Sequence, residues 1–146
     1  MQNQFEQLLE ALGEKMNTSL APDKNQACLI RFSTTQVPVQ LEEDSNSGDL
    51  AVGTILGLLP ENVFRERIFK AALSVNASPQ SNIKGILGYG ELTQQLYLSD
   101  VLNMSYLNGE KLFHYLNLFS MHAKIWMAAL ESGNLPDLHQ LGMYHL

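Results

Sequence analysis

The chain has 146 residues and a formal net charge of −6, with a pI near 5.1. This acidic balance argues against a nucleic-acid-binding protein, because Lys and Arg must neutralise the phosphates, and against binding to an anionic membrane surface. The length predicts a single domain over residues 1–146 with a core of its own. Cys28 is the only cysteine, so no internal disulfide can form, which fits a reducing cytoplasm.

The first predicted element is a helix over residues 3–16. Apolar residues recur there at helical spacing, and Asn3 followed by Glu6 resembles a capping box. The segment lacks the basic and apolar regions of a signal peptide, and no apolar stretch of the chain approaches the roughly 18 residues of a membrane helix. We therefore expect neither a signal peptide nor a transmembrane segment. The apolar residues of the helix are Phe5, Leu8, Leu9, Leu12 and Met16.

Three alternating segments then predict strands over residues 27–32, 36–41 and 50–59. Pro38 lies within the second segment, and proline has no N–H for a strand ladder, so this strand is predicted to lie at a sheet edge. An edge strand can accept an extended peptide by β-augmentation. Alternatively, the proline blocks aggregation at that edge, and the sequence leaves both interpretations open.

The second half of the chain predicts two helices that enclose two strands. Pro60 opens a helix that ends near Asn76, which is a plausible left-handed cap. Strands are predicted near 83–88 and 92–99, and a long helix over about 109–131 ends before Gly133. The predicted fold class is α+β, with the order α-β-β-β-α-β-β-α.

The last helix carries an unusually wide apolar stripe. Its two apolar rows together cover roughly 220° of the circumference, against the ~100° of an ordinary surface helix. Trp126 lies in the narrower row with Phe119 and Leu130, and we predict that it anchors the core without binding a ligand. Either neighbouring helices and the C-terminal tail cover the rest of the stripe, or that surface is reserved for another chain.

The glycine-rich stretch before the last predicted strand does not indicate a phosphate site. Gly85, Gly88 and Gly90 read G-x-x-G-x-G, which reverses the dinucleotide fingerprint, and a strand rather than a helix follows. The pattern favours a twisted or bulged strand that enters a hairpin.

No other pattern indicates an enzyme or a metal site. His114 and His122 are eight residues apart on the predicted helix, which is not the spacing of a metal-binding pair. The acidic cluster at residues 42–49 does not match a calcium loop. Cys28 lies inside a predicted strand with no histidine near it in sequence, which favours a core residue over a nucleophile. We therefore expect no catalytic residue, no cofactor and no metal.

Three segments resemble the class I chaperones of bacterial type III secretion, the CesT/SycE-like (Tir chaperone) family. They are "AALSVN" at 71–76, "LGYGELTQQLYLSDVL" at 87–102 and "LFHYLNLFSMHAKIWMAAL" at 112–130. The resemblance extends over essentially the whole chain and depends on hydrophobic patterns; "ELTQQ" departs from it, since many relatives have glycine in that hairpin. It implies a twisted antiparallel sheet with helices packed on it, in a subunit of a dimer in the bacterial cytoplasm.

The resemblance also implies a partner and candidate sites. The partner would be a secreted effector or gatekeeper protein, bound through its N-terminal segment and kept export-competent without ATP hydrolysis or a cofactor. The alternative is a module of the same fold that binds or regulates a protein without escorting it for export. The dimer would be a homodimer or a heterodimer with a related chaperone. The candidate cargo-binding residues are Leu8, Leu12, Ile30, Val37, Val39 and Leu41, and the candidate dimer contacts are Phe64, Ile68 and Ile86.

Overall fold

The computed structural model describes residues 2–44, 46–78 and 82–142. Its elements follow the predicted order, so the α+β fold class is confirmed. A short 3₁₀ turn precedes the last helix. The elements are α1 (Gln4–Met16), β1 (Ala27–Arg31), β2 (Pro38–Asp44), β3 (Asp49–Leu58), α2 (Val63–Ala77), β4 (Ile86–Gly90), β5 (Gln95–Asn103) and α3 (Gly109–Ser132).

The five strands form one antiparallel sheet in the order β1-β2-β3-β5-β4. The strand that contains Pro38 is therefore interior, and the prediction that it lies at an edge was wrong. Proline is tolerated at this position because it is the first residue of β2. The ladder between β2 and β3 begins only at Gln40, so the missing N–H of Pro38 interrupts no rung.

The helices pack on one face of the sheet and build the core there. α1 packs against α3, α3 packs against β3, and α2 lies beside the edge strand β4. Trp126 and Phe119 are fully buried in this core, as predicted for the narrow row of α3. Alternate residues of the strands complete the core from the sheet side, among them Ile30, Val39, Leu41, Leu50, Val52, Leu96 and Leu98.

The wide apolar stripe of α3 is covered partly by the segment that follows the helix. Leu141 in this segment is buried, and Leu138 packs against the core. α1 covers another part of the stripe. Within the described residues this favours cover by the neighbouring helix and tail over a surface reserved for another chain. Met121 is half-exposed, and residues 143–146 of the predicted tail lie outside the described residues.

Asparagine side chains begin all three helices. Asn3 accepts a hydrogen bond from the N–H of Glu6 at 2.8 Å, and Asn108 accepts one from Lys111 at 2.8 Å. α2 begins in the same way, at Asn62. It continues through Ala77, so the prediction that Asn76 caps its C-terminus was wrong. Asn76 instead bonds the neighbouring strand β4.

The glycine stretch forms β4 and the hairpin that leads to β5, as its pattern favoured. Gly85 has a φ of 100°, and a Cβ there would lie 2.7 Å from Leu98. The ring of Tyr97 lies across Gly88, where a Cβ would be 2.6 Å from it. The glycines therefore allow close packing. In the glycine-free turn "ELTQQ", Gln94 takes the left-handed conformation with a φ of 55°.

Candidate protein-binding site

The six candidate cargo-binding side chains lie in the core, which corrects the prediction that they form a binding surface. Each of them is less than one-tenth exposed, so no partner can contact them in this fold. Alternation along a strand separates two faces but does not say which face the helices cover. The buried residues are Leu8, Leu12, Ile30, Val37, Val39 and Leu41.

The opposite face of the sheet, which we call the open face, carries exposed apolar side chains. Leu29 is 67% exposed and Ile55 is 57% exposed, and Val101 is similarly accessible. A cavity of about 610 Å³ lies over this face between Leu29, Ile55 and Tyr97. Sequence reasoning missed these residues, although they are the apolar residues on the other face of the same alternating strands. An exposed apolar patch of this kind is typical of a protein-binding surface.

The edge strand β1 presents unpaired main-chain groups beside the open face. The N–H of Glu43 on β2 donates to the carbonyl of Gln26, the residue before β1. In an antiparallel ladder, residues whose main-chain groups bond the neighbouring strand alternate with residues whose groups face away from it. In this register the main-chain groups of Cys28 and Ile30 bond β2, so the main-chain groups of Leu29 face away from the sheet. No described residue bonds the main-chain N–H or carbonyl of Leu29.

A second groove lies on the helical side of the same edge. Its volume is about 460 Å³, and it runs between the end of α1, β1 and α3. The rings of Phe32 and Phe113 form part of its wall, with their centroids 5.5 Å apart. Met16 and Leu20 extend the apolar lining, and Lys15 adds a positive charge. The open edge of β1 thus has a cavity on each side, which is the space that alternate side chains of an added strand would occupy.

The other edge, β4, is engaged by α2. The side chain of Asn76 donates to the carbonyl of Leu87 and accepts from its N–H, both at 2.9 Å. Phe69 packs edge-on against Tyr89 with centroids 5.0 Å apart, and the guanidinium of Arg65 lies over both rings. These contacts attach α2 to the edge of the sheet.

The three candidate dimer contacts have different environments. Ile86 is 58% exposed and Phe64 is half-buried, so both are accessible. Ile68 is fully buried within the subunit, which excludes it as a contact with another chain and corrects that prediction. Sequence reasoning missed Leu73, which is 68% exposed on α2. It lies outside the apolar stripe of the helix, and an apolar residue at such a position is expected to be exposed, which was the signal that could have identified it.

The buried titratable groups are bound in structural contacts. The indole N–H of Trp126 donates to Nε2 of His122 at 3.0 Å, and Nδ1 of His122 lies 2.9 Å from the carbonyl of Lys84. Nδ1 must therefore carry the proton, and burial lowers the pKa of this neutral ring. The hydroxyl of Tyr115 donates to Asp100, and its pKa is raised, chiefly by burial. Burial also raises the pKa of the Cys28 thiol.

The described part of the chain holds no cluster of three or more metal-ligating side chains. No described helix combines the length and the apolar character needed to cross a membrane.

The architecture is of the α+β class, with an open sheet edge at β1. The family model of the Tir chaperone protein (CesT) family matches residues 7–127. The chain therefore belongs to the Tir chaperone protein family, and the resemblance seen in its sequence is confirmed. The family and the fold point to a non-enzymatic binding role among the type III secretion chaperones.

Solved structures share the fold at low sequence identity. One chain of the HopA1–SchA chaperone–effector complex is 16% identical with a TM-score of 0.69, over 86% of this chain and 94% of that one. A chain of the heterodimeric ExoU–SpcU complex of the type III secretion system of Pseudomonas aeruginosa is 14% identical with a TM-score of 0.68, over 86% and 98%. A chain of the ExsC–ExsE complex is 21% identical with a TM-score of 0.62, over 86% and 92%. None of the curated proteins matches the chain.

Proposed function

We propose that this protein is a cytoplasmic type III secretion chaperone that binds the N-terminal segment of a secreted effector or gatekeeper protein and keeps it export-competent. The observation that carries the proposal is the open main chain of β1 at Leu29, with an apolar cavity on one side and a groove of mixed polarity on the other. Extended segments bind such edges through main-chain hydrogen bonds, and flanking pockets select their side chains. Folded proteins usually block their own strand edges, whereas an unfolded segment can pair freely, so the geometry favours an unfolded segment.

The apolar open face supplies the binding energy that an unfolded segment requires. Such a segment loses conformational entropy as it becomes ordered, and buried apolar contacts must offset that loss. Full burial of a leucine side chain contributes about 1.5–3 kcal/mol, and Leu29 and Ile55 are both more than half exposed. Main-chain pairing at β1 and apolar contacts on the open face therefore act on the same segment.

Co-purification from the source bacterium with mass spectrometry tests this function. We expect a secreted protein that remains bound when it is truncated to its N-terminal segment. Leu29→Lys should abolish the capture. Leu58→Lys is the matched control, because Leu58 is also a strand leucine and is also 67% exposed but does not line the cavity of the open face. A partner that is not secreted, or that binds through a folded domain, would favour the non-export scaffold instead.

We further propose that the subunit pairs through α2 and β4, with itself or with a related chaperone. Leu73 and Ile86 are both more than half exposed there, and Phe64, near the start of α2, is half-buried. This surface lies at the opposite edge of the sheet from β1, so pairing through it leaves the β1 edge free for a cargo segment.

Light scattering with the double variant Leu73→Glu, Ile86→Glu tests this pairing. A homodimer has twice the 16.3 kDa mass of one chain, and the variant should shift the protein to the monomer mass. Leu92→Glu, in the exposed β4–β5 turn, is the control and should leave the dimer intact. A wild-type protein that is monomeric at micromolar concentration would contradict the homodimer and direct the search to a related chain.

A further inference from the structure

We infer that Asp23 closes one end of the open edge of β1 and thereby sets the register and the extent of the strand that binds there. The inference rests on the proposed function, since it concerns the extended segment that occupies this edge. Asp23 is a positioning residue: it acts by occupying main-chain groups that a cargo strand would otherwise use.

The contacts of Asp23 satisfy both outward main-chain groups of Ala27, the first residue of β1. The carboxylate accepts from the N–H of Ala27 at 3.0 Å. The main-chain N–H of Asp23 donates to the carbonyl of Ala27 at 2.8 Å. The same carboxylate accepts from the N–H of Asn25 at 2.8 Å, which holds the turn before β1 in place. The segment around Asp23 thus occupies the place of an added strand at Ala27.

Two residues further along β1 the edge is open. Leu29 faces outward like Ala27, because outward-facing residues alternate along an antiparallel strand. The described residues supply no partner to its N–H or its carbonyl, and its side chain is largely exposed. An added strand therefore finds an available pair of main-chain groups at Leu29 and an occupied pair at Ala27.

The difference between Ala27 and Leu29 limits where on β1 a ligand strand can pair. A bound strand can extend past Leu29 toward Arg31, but it cannot form a rung at Ala27. The residue opposite Leu29 points to the open face, and its two neighbours point into the groove lined by Phe32 and Phe113. The preferred ligand is therefore a short extended segment with an apolar side chain opposite Leu29, aligned by the end that Asp23 blocks.

The test uses peptides selected from a displayed library of random nine-residue sequences on the full-length protein. Hydrogen exchange measured by NMR should show the Ala27 amide protected in the free protein and the Leu29 amide protected only when a peptide binds. The selected peptide is then lengthened by two threonines at its N-terminus or at its C-terminus. In the wild type, only one of the two extensions should tighten binding. Asp23→Ala frees the N–H of Ala27, while the main-chain N–H of residue 23 still bonds the carbonyl of Ala27. The other extension should then also tighten binding, by about fivefold, the effect of one further main-chain hydrogen bond.

Asp23→Asn is the matched control, because its side-chain oxygen still accepts from Ala27, and it should behave like the wild type. Equal gains from both extensions in the wild type would overturn the role of Asp23 and leave the proposed function standing. A bound peptide that leaves the Leu29 amide unprotected would overturn the use of this edge altogether. If no extended peptide is enriched, both the inference and the proposed function are overturned. Should Asp23→Ala fail to fold, the end-specific effect in the wild type still decides the question.

Discussion

The two edges of the sheet differ in what occupies their outward main-chain groups. At β4, the Asn76 side chain bonds both groups of Leu87, and α2 packs against the strand. At β1, Asp23 bonds both groups of Ala27, but Leu29 remains open. An open strand edge is a template for another chain, and proteins usually block it. This protein therefore covers part of the β4 edge with a side chain of a packed helix and leaves a short part of the β1 edge, at Leu29, available.

The largest expected effect on stability comes from removing the side chain of Trp126. Trp126 is fully buried and donates to His122, which contacts the carbonyl of Lys84 just before β4. Trp126→Ala should lower the free energy of unfolding by about 3–5 kcal/mol, because it leaves a cavity and an unpaired nitrogen. Urea denaturation measures this, and Trp126→Phe should cost clearly less. A Trp126→Ala variant with wild-type stability would contradict the core assignment.

Opening the β4 edge directly should have the next largest effect. Asn76→Ala removes two hydrogen bonds to Leu87, each of which contributes about 1 kcal/mol, so stability should fall by about 2 kcal/mol. Hydrogen exchange should show faster exchange of the Leu87 amide. Asn76→Asp keeps the acceptor for that amide and should preserve more of its protection. Unchanged protection in the alanine variant would show that α2 closes this edge by other means.

Low pH should lower the free energy of unfolding through the protonation of His122. Burial lowers the pKa of His122 in the folded protein below its ordinary value, so the unfolded chain binds the proton more readily. The contribution of the neutral His122 ring to the free energy of unfolding is fully present above about pH 6.5. It is lost as pH falls toward the pKa of His122 in the folded protein, with a slope approaching about 1.4 kcal/mol per pH unit. Urea denaturation between pH 8 and pH 5 measures it.

The matched control for this pH dependence is on the same helix. His114 is exposed, so His114→Gln should keep the wild-type pH profile, whereas His122→Gln should flatten it. A wild-type stability that does not change between pH 6.5 and pH 5 would contradict the assignment of a buried neutral ring.

The smallest effect on stability is expected at the β1 edge. The Leu29 side chain is largely exposed, so Leu29→Lys should change the free energy of unfolding by less than about 0.5 kcal/mol, as is usual for surface substitutions. Thermal melting measures this. A large loss of stability would show that Leu29 packs within the subunit and would remove the contrast between the two edges.

Local signals predicted the elements well because they depend on neighbouring residues. The periodicity of Phe5, Leu8 and Leu12 was sufficient for α1. The wide stripe of α3 left two alternatives open, and only the structure favours cover by the neighbouring helix and the tail. Asn76 shows the limit of such signals: an asparagine near the end of a helix suits a cap, yet here it reaches a strand eleven residues further along the chain.

The element order and the two alternating faces of each strand could be predicted from composition and spacing along the chain, and the family from the resemblance of three segments to the type III secretion chaperones. The tertiary structure decided which face became the core and which strands became edges. Strand order depends on pairing between separate segments. β2 pairs with both β1 and β3, which makes it interior despite Pro38, and β3 pairs with β5 across α2 and β4. The helices then cover the face with Val39 and Leu41 and leave the face with Leu29 and Ile55 exposed. Because both phases of the alternation contain apolar residues, only the packing of the helices could distinguish the core from the candidate binding surface.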